Sequence, residues 1–458
     1  MNTPWQAFQL AYVTIELETA FLIGAGESDH LFDSVFVTDA NSYPSIPGES
    51  LAGVMRHALG DRAEALFGFQ NKDDGEASRI RVSFAHCHGQ DDKPVAFRTD
   101  ATADPVLSAL SAGVGRDHVR IGKHGAVDQR GKFDELVVPA GARFTFEICL
   151  SKESQVKLEE LVGLLAGPDL HIGGKTRRGL GRFKVVRVRS ADFDLTRKED
   201  LQRLARLPVA LEKAACSDQL KPLTLPKAMK RHDTFHALLK LKPIGTWMIG
   251  GGIPTGREPQ REKEGPWDRV PLSERKVIWT RKGEQERGEV VSDKDAPYLL
   301  PGSSIKGALR HRTAFHLRRL KQIWTDQEVP EEVELFGDIR GKQEGRPGCV
   351  FIGDLYVAAN TPLEGLQHVS LDRFTQAPMD HLLYDELALG SCQLELQVSI
   401  QILPSDSNRI ARKALQAALD DLTHGRLALG AGRGHGRFLG ALEWLDKRDL
   451  LKEEALTC

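Results

Sequence analysis

The chain has 458 residues, 41% of them hydrophobic, and a formal net charge of −2. That length suits two to three domains of roughly 100–200 residues each, and the near-neutral charge excludes a polycation that binds nucleic acid over its whole surface. Six cysteines, at 87, 149, 216, 349, 392 and 458, form no C-x-x-C pair, which argues against a zinc ribbon or a disulfide framework.

The opening MNTPWQAFQL has no basic region followed by an apolar stretch. A signal peptide is therefore not expected. No apolar run reaches the ~18 residues of a membrane span, so a cytoplasmic protein is expected. Residues 8–18 (FQLAYVTIELE) alternate apolar and polar and predict a half-buried strand. Pro47-Gly48 then leads into SLAGVMRHAL, whose apolar spacing is helical, with Ser50 placed to cap the first turn. FTFEICL predicts a strand, VKLEELVGLLAG an amphipathic helix before a glycine-rich loop, and RFKVVRVR a closing strand. Residues from about 192 to 232 are charged and Pro-punctuated. LQRLARL there predicts one or two helical turns, and Pro222 and Pro226 break the chain. The pattern then restarts. FHALLKLKPIG reads as a strand and SSIKGALRHRTAFHLRRL as a helix that Ser303 or Ser304 can cap. CQLELQVSIQI, ARKALQAALDDL and RFLGALEW follow as strand, helix and strand.

The restart is an internal repeat. IGAG (23–26), IPGESLAGVMRH (46–57), LFG (66–68) and GLGRF (179–183) return in the same order as IGGG (249–252), LPGSSIKGALRH (300–311), LFG (335–337) and GHGRF (434–438). The spacing from Gly24 to Gly48 is shorter than that from Gly250 to Gly302, so the second copy carries an insertion between Gly252 and Pro301. REPQREKEGPWDR and RKGEQERGE fill it, and such charge density predicts an exposed loop or partly disordered excursion. The expected organisation is a first module at 1–191, a linker at 192–232, a second module at 233–446 with the insertion at about 257–290, and a tail at 447–458. The order strand–helix–strands–helix–strand predicts an α+β chain of two ferredoxin-like modules, the plan RNA recognition motifs use.

IPGESLAGVMR and LPGSSIKGALR resemble the signature of the RAMP (repeat-associated mysterious protein) superfamily, and GLGRF and GHGRF resemble its C-terminal glycine-rich loop. VRIGKHGAVDQRGKFDELVVPAG (119–141) and VSLDRFTQAPMDHLLYDELAL (369–389) resemble its thumb hairpin. Within that superfamily the match is to the backbone subunits of type III CRISPR effectors, and the fused pair resembles type III-D-like systems. The resemblance implies two RAMP modules, each with a thumb hairpin and glycine-rich loop. It also implies crRNA, complementary target RNA and other effector subunits as partners, including neighbouring RAMP subunits and the large subunit. Sequence specificity would lie in guide pairing rather than in this chain.

Candidate residues follow. The helix starts at Gly48, Ser50, Ser303 and Ser304, with Arg56, Lys306 and Arg310 on the helices, offer free N–H groups and charge to phosphate. Ala52 stands in the first copy where Lys306 stands in the second. Lys123, in the first thumb, and Lys175, Arg177, Arg178, Arg182, Arg433 and Arg437, in the basic glycine-rich loops, suit an RNA backbone. GGKT is not a phosphate-binding P-loop, because Asp169 stands where that motif needs glycine, and GAGRGHG is followed by a strand rather than the helix of a dinucleotide site. Phe374 or Met379 can wedge against a base, and Asp372 and Arg373 form either a structural ion pair or a target-RNA contact.

The resemblance implies that Asp33, which precedes the apolar run leading to the Pro-Gly turn, cleaves target RNA. It would hold Mg²⁺ (or Mn²⁺) or orient a ribose hydroxyl; Asp29 is the nearest competitor. Aligning Asp293 with Asp39 puts Arg287 at the position of Asp33. That alignment leaves the second module weak or inert unless Asp268, in GPWDRV, has taken the role. A non-catalytic scaffold is the alternative reading, and a histidine-dependent guide-processing nuclease a more distant one. His86-Cys87-His88 lacks a second ligand pair, which favours a satisfied loop over zinc.

Overall fold

The computed structural model describes residues 5–450 apart from 27, 29, 73, 97–102, 123–126, 232, 260–265, 284, 325–326, 328, 339–344, 402–407, 431–434 and 446–449. In the first module the strand Ala7–Leu17 is central. It pairs antiparallel with Arg143–Ser151 on one side and Phe183–Asp194 on the other. Ile80–Val82 and Ala85–Cys87 extend the sheet beyond Arg143–Ser151. Ala11, Val13, Ile15 and Leu17 point into a core with Leu51 and Met55 of the helix Gly48–Leu59 and Leu161 and Val162 of the helix Leu158–Leu165.

The second module repeats this order. Thr234–Pro243 lies between Leu394–Gln401 and Arg437–Trp444, and Val350–Ile352 extends the sheet. Ile305 and Leu309 of the helix Gly302–Lys321 and Leu415 and Leu419 of the helix Asn408–Thr423 cover one face. Each sheet thus has the strand order of a split βαβ fold, and the chain is α+β with two modules of one design.

The central strand of the first module is buried on both faces, not half-buried. Phe8, Leu10 and Tyr12 form a second cluster with Phe193, Ala214 and Leu220. The linker supplies that cover: the helix Lys198–Arg206, a turn at Leu211–Ala214, and Lys221-Pro222, which pairs with Arg189 and Ser190.

The insertion departs from the expected excursion in its second charged stretch, while the described residues of the first, within 257–269, form no helix or strand. Val277–Lys282 and Gln285–Val290 form a hairpin that docks on the first module. Val277 is buried in that module's core and its N–H donates to Ala140 O at 2.9 Å. Trp279 Nε1 donates to Gly141 O at 2.7 Å, and the Arg143 guanidinium lies 4.2 Å over the indole. Arg143 also pairs with Glu286, and Gly288 N donates to Gln90 O at 2.8 Å. Charge density misled the reading because the hairpin's charges are themselves engaged by the first module, Glu286 by Arg143 and Arg287 by Gln90, while Val277 enters its core.

The serine caps do not form. Pro47 and Pro301 occupy the cap positions and offer no side-chain hydrogen bond. The glycines that follow serve close packing by the protein's own backbone: a Cβ at Gly48 would overlap Val82 O, and one at Gly302 would overlap Ile352 O. Gly302 N instead donates to Asp354 Oδ1 at 2.8 Å.

Candidate functional site

Each module carries a long hairpin, Val114–Ile121 with Val127–Val137 and Leu363–Leu371 with Pro378–Leu389. The base of each hairpin holds one aspartate from a preceding loop. Asp33 Oδ2 accepts from Asp134 N at 3.0 Å, and Asp33 N donates to Asp134 O at 3.0 Å. Asp268 Oδ2 accepts from Asp385 N at 2.8 Å, and the next residue, Arg269, donates its N–H to Asp385 O at 3.3 Å. The bridges match as well: Ser34 pairs in parallel with Glu135 and Arg269 with Glu386. Phe32 and Trp267, the residues just before the two aspartates, lie against Gly115 and Gly365, where a Cβ would crowd the rings. Asp268 is therefore the structural equivalent of Asp33, and both are exposed.

This overturns the alignment that put Arg287 at the position of Asp33. Val37 N donates to Ile23 O and Leu272 N to Ile249 O, both at 2.8 Å. In that register Glu274, not Asp293, matches Asp39. Arg287 lies on the docked hairpin, with Nη2 at 3.1 Å from Gln90 Oε1. The insertion is split around Asp268, so a single gap could not align it.

Behind each aspartate is a buried glutamate. Glu135 is 0% and Glu386 3% exposed. Glu135 contacts Lys175 and lies 3.5 Å from His118; Glu386 accepts from or pairs with His368 at 2.9 Å. His118 stacks on Phe133 and His368 on Tyr384, each with centroids 4.8 Å apart. Burial, with Arg116, Lys175 and Arg178 adding to it, lowers the His118 imidazole to about 4. Burial and Arg178 lower the Lys175 ammonium to about 8, against an opposing pull from Asp33. Lys175 was among the sequence candidates, but the glutamates and histidines were missed, although FDEL (133–136) and YDEL (384–387) repeat.

Cations gather where the modules meet. Arg178 of the first glycine-rich loop lies near Arg310 and Arg120, and burial together with these neighbours lowers its guanidinium below the ordinary value. Arg310 Nε also donates to Glu332 Oε1 at 2.8 Å. Lys306 is turned inward, 7% exposed, with Nζ donating to Val350 O at 2.8 Å. Burial, then Arg178, Arg177 and Arg310, bring its ammonium to about 7. Arg177 is engaged across the junction, with Nε donating to Gly348 O at 2.5 Å and the guanidinium 4.8 Å over Phe351. Arg116 locks the same junction, with Nε and Nη2 donating to Glu274 at 2.7 and 2.8 Å and Nη1 to Asp354 at 2.6 Å. Burial alone would lower its guanidinium, but Asp354 and Glu274 outweigh that and hold it well above the ordinary value.

The remaining candidates are scattered. Arg56 lines an open groove with Gly53, His57, Gly60, Ala63 and Glu64. Arg182 pairs with Glu18 at 2.7 Å, and Arg437 opens the last strand. Ser50 is half-buried and Ser303 and Ser304 sit on the first turn of their helix. At the tip of the second hairpin Phe374 is 87% exposed. Asp372 accepts from Phe374 N and from Thr375 N and Oγ1, so it closes that turn and forms no ion pair with Arg373. Asp29, Lys123 and Arg433 lie outside the described residues. His88 is buried between Asp92 and Thr145, both at 2.8 Å, as a satisfied loop requires.

A family model, the RAMP superfamily, matches residues 14–184 and 240–439, well over half of the chain and one stretch in each module. The chain belongs to the RAMP superfamily. Both RAMP stretches span the Pro-Gly helix, the hairpin and the glycine-rich loop. No curated protein matches. Among solved structures, one similar chain comes from a cryo-EM structure of the type III-B Cmr-beta complex bound to cognate target RNA. It is 15% identical, with a TM-score of 0.29 over 41% of this chain and 62% of that one. The RAMP chain thus spans less than two thirds of that chain's length.

Proposed function

We propose that this RAMP protein is a crRNA-binding backbone subunit of a type III CRISPR effector that cleaves guide-paired target RNA, once at Asp33 and once at Asp268. One observation carries this reading: two exposed aspartates are presented in the same way, on the main chain at the base of a hairpin, in two modules of different sequence. An aspartate there can orient or deprotonate a ribose 2′-hydroxyl for in-line attack on the neighbouring phosphate. The hairpins, with Phe374 at the tip of the second, would splay the paired strands and leave one nucleotide unstacked at each aspartate. The arginines at the module junction suit a phosphate backbone, since their mutual repulsion is relieved by an anion.

The donor set fits Mg²⁺ or Mn²⁺ only with help from the substrate. Among the described residues no group of three His, Cys, Asp or Glu side chains gathers to hold a metal. Mg²⁺ commonly takes one or two carboxylates plus substrate phosphates and water, and Asp33 and Asp268 would supply the protein oxygens. A bound divalent cation would offset charge building on the phosphate.

The test is the assembled complex with its guide, labelled complementary RNA and Mg²⁺. Asp33→Ala and Asp268→Ala should each bind target normally and each lose one different cut. An unchanged cut pattern in both variants and in the double variant would leave the chain as a scaffold, with cleavage elsewhere.

A further inference from the structure

A carboxylate with no access to water is costly unless a cation compensates it. Glu135 and Glu386 are two such groups, and each directly follows the residue whose N–H holds the site aspartate, Asp134 or Asp385. In the first module the compensating charge comes from Lys175, since burial keeps His118 neutral near neutral pH. Lys175 reaches it from the glycine-rich loop with a left-handed backbone, φ 56°, a conformation that non-glycine residues adopt only at a steric cost. In the second module His368 contacts Glu386 at 2.9 Å. The glycine-rich loop again contributes: His435 lies edge-on to His368, with ring centroids 6.3 Å apart, and its Nδ1 lies 3.0 Å from Thr246 Oγ1. In both modules a basic side chain touches the buried glutamate, reaching it from the glycine-rich loop in the first and from the hairpin itself in the second. An aspartate approaching a phosphodiester is repelled by it, and a cation fixed nearby offsets that repulsion without reorganising during the reaction.

We propose that Glu135 and Glu386 are positioning residues that anchor a basic side chain beside each cleavage aspartate, Lys175 for Asp33 and His368 for Asp268. The proposal rests on the assignment of those aspartates. It makes each site a composite of hairpin, aspartate loop and glycine-rich loop, and gives the two cuts different basic groups.

The experiment follows both cuts over time in the guide-bound complex at saturating target. Glu135→Gln should slow the first-module cut about 10-fold or more, leaving target affinity and the second-module cut unchanged. Lys175→Met should do the same, and Lys175→Arg should restore most of the rate. Glu386→Gln should slow only the other cut. If Glu135→Gln fails to assemble, the Lys175 pair decides. Wild-type first-module cutting by Lys175→Met, with Asp33→Ala inactive there, overturns the proposal and leaves the aspartate assignment standing. Equal loss of both cuts, or lost target binding, also overturns it, because that is what a purely structural role would give. If Asp33→Ala still makes the first cut, both readings fall together.

Discussion

The two modules agree at the aspartate site and disagree where they face their neighbours. Asp33 and Asp268, Glu135 and Glu386, and His118 and His368 occupy matching positions in register. Arg116, opposite Glu135 on the first hairpin, matches Leu366, opposite Glu386 on the second. On the receiving side, Ile46 pairs with Ala85 as Leu300 pairs with Leu355, so Phe84 matches Asp354. The ionic lock that joins the modules thus uses an arginine and an aspartate whose counterparts are both apolar, while its second acid, Glu274, keeps an acidic counterpart in Asp39. What two divergent copies keep marks a shared task at the site. What they change marks the contacts peculiar to each, here the junction inside the chain.

The largest expected effect comes from breaking that junction. Arg116→Met leaves Glu274 and Asp354 buried without their cation, which should cost about 3–5 kcal/mol, read as a lower midpoint in urea unfolding. Trp279→Ala tests the docked hairpin next. Loss of a partly buried indole and its hydrogen bond should cost about 2 kcal/mol and open residues 277–290 to limited proteolysis. Leu366→Arg sharpens the contrast. It places the first module's cation in the second, where no matched acid pair awaits, and should change stability by about 1 kcal/mol or less. A gain comparable to the Arg116 loss would show that the hairpins are not specialised.

A further prediction concerns pH. Burial would raise the Asp92 carboxyl, but His88, Arg187 and Arg143 outweigh it and hold it well below the carboxylate range. A depressed carboxylate stabilises the fold above its unfolded value and loses that contribution as pH falls through the folded one. The stability gap between wild type and Asp92→Asn should therefore be full near neutrality and close as pH drops below about 4.

The sequence by itself determined the two-module plan and the strand and helix order, because these rest on local periodicity and on a motif order that repeats; Asp33 entered as a candidate only through the resemblance to the family. It also contained FDEL and YDEL, whose meaning shows only when each is seen holding an aspartate from a distant loop. Tertiary structure alone decided three matters. Asp268 became the partner of Asp33 through a hydrogen bond to Asp385 that a split insertion hides from alignment. The charged insertion became a docked hairpin because the first module engages Glu286 and Arg287 while Val277 enters its core. Lys306 and Arg177 turned from exposed phosphate ligands into groups engaged by Val350 and Gly348 carbonyls. In each case the deciding partner lies far along the chain, and composition or spacing carries no information about which distant carbonyl, amide or ring a side chain will meet.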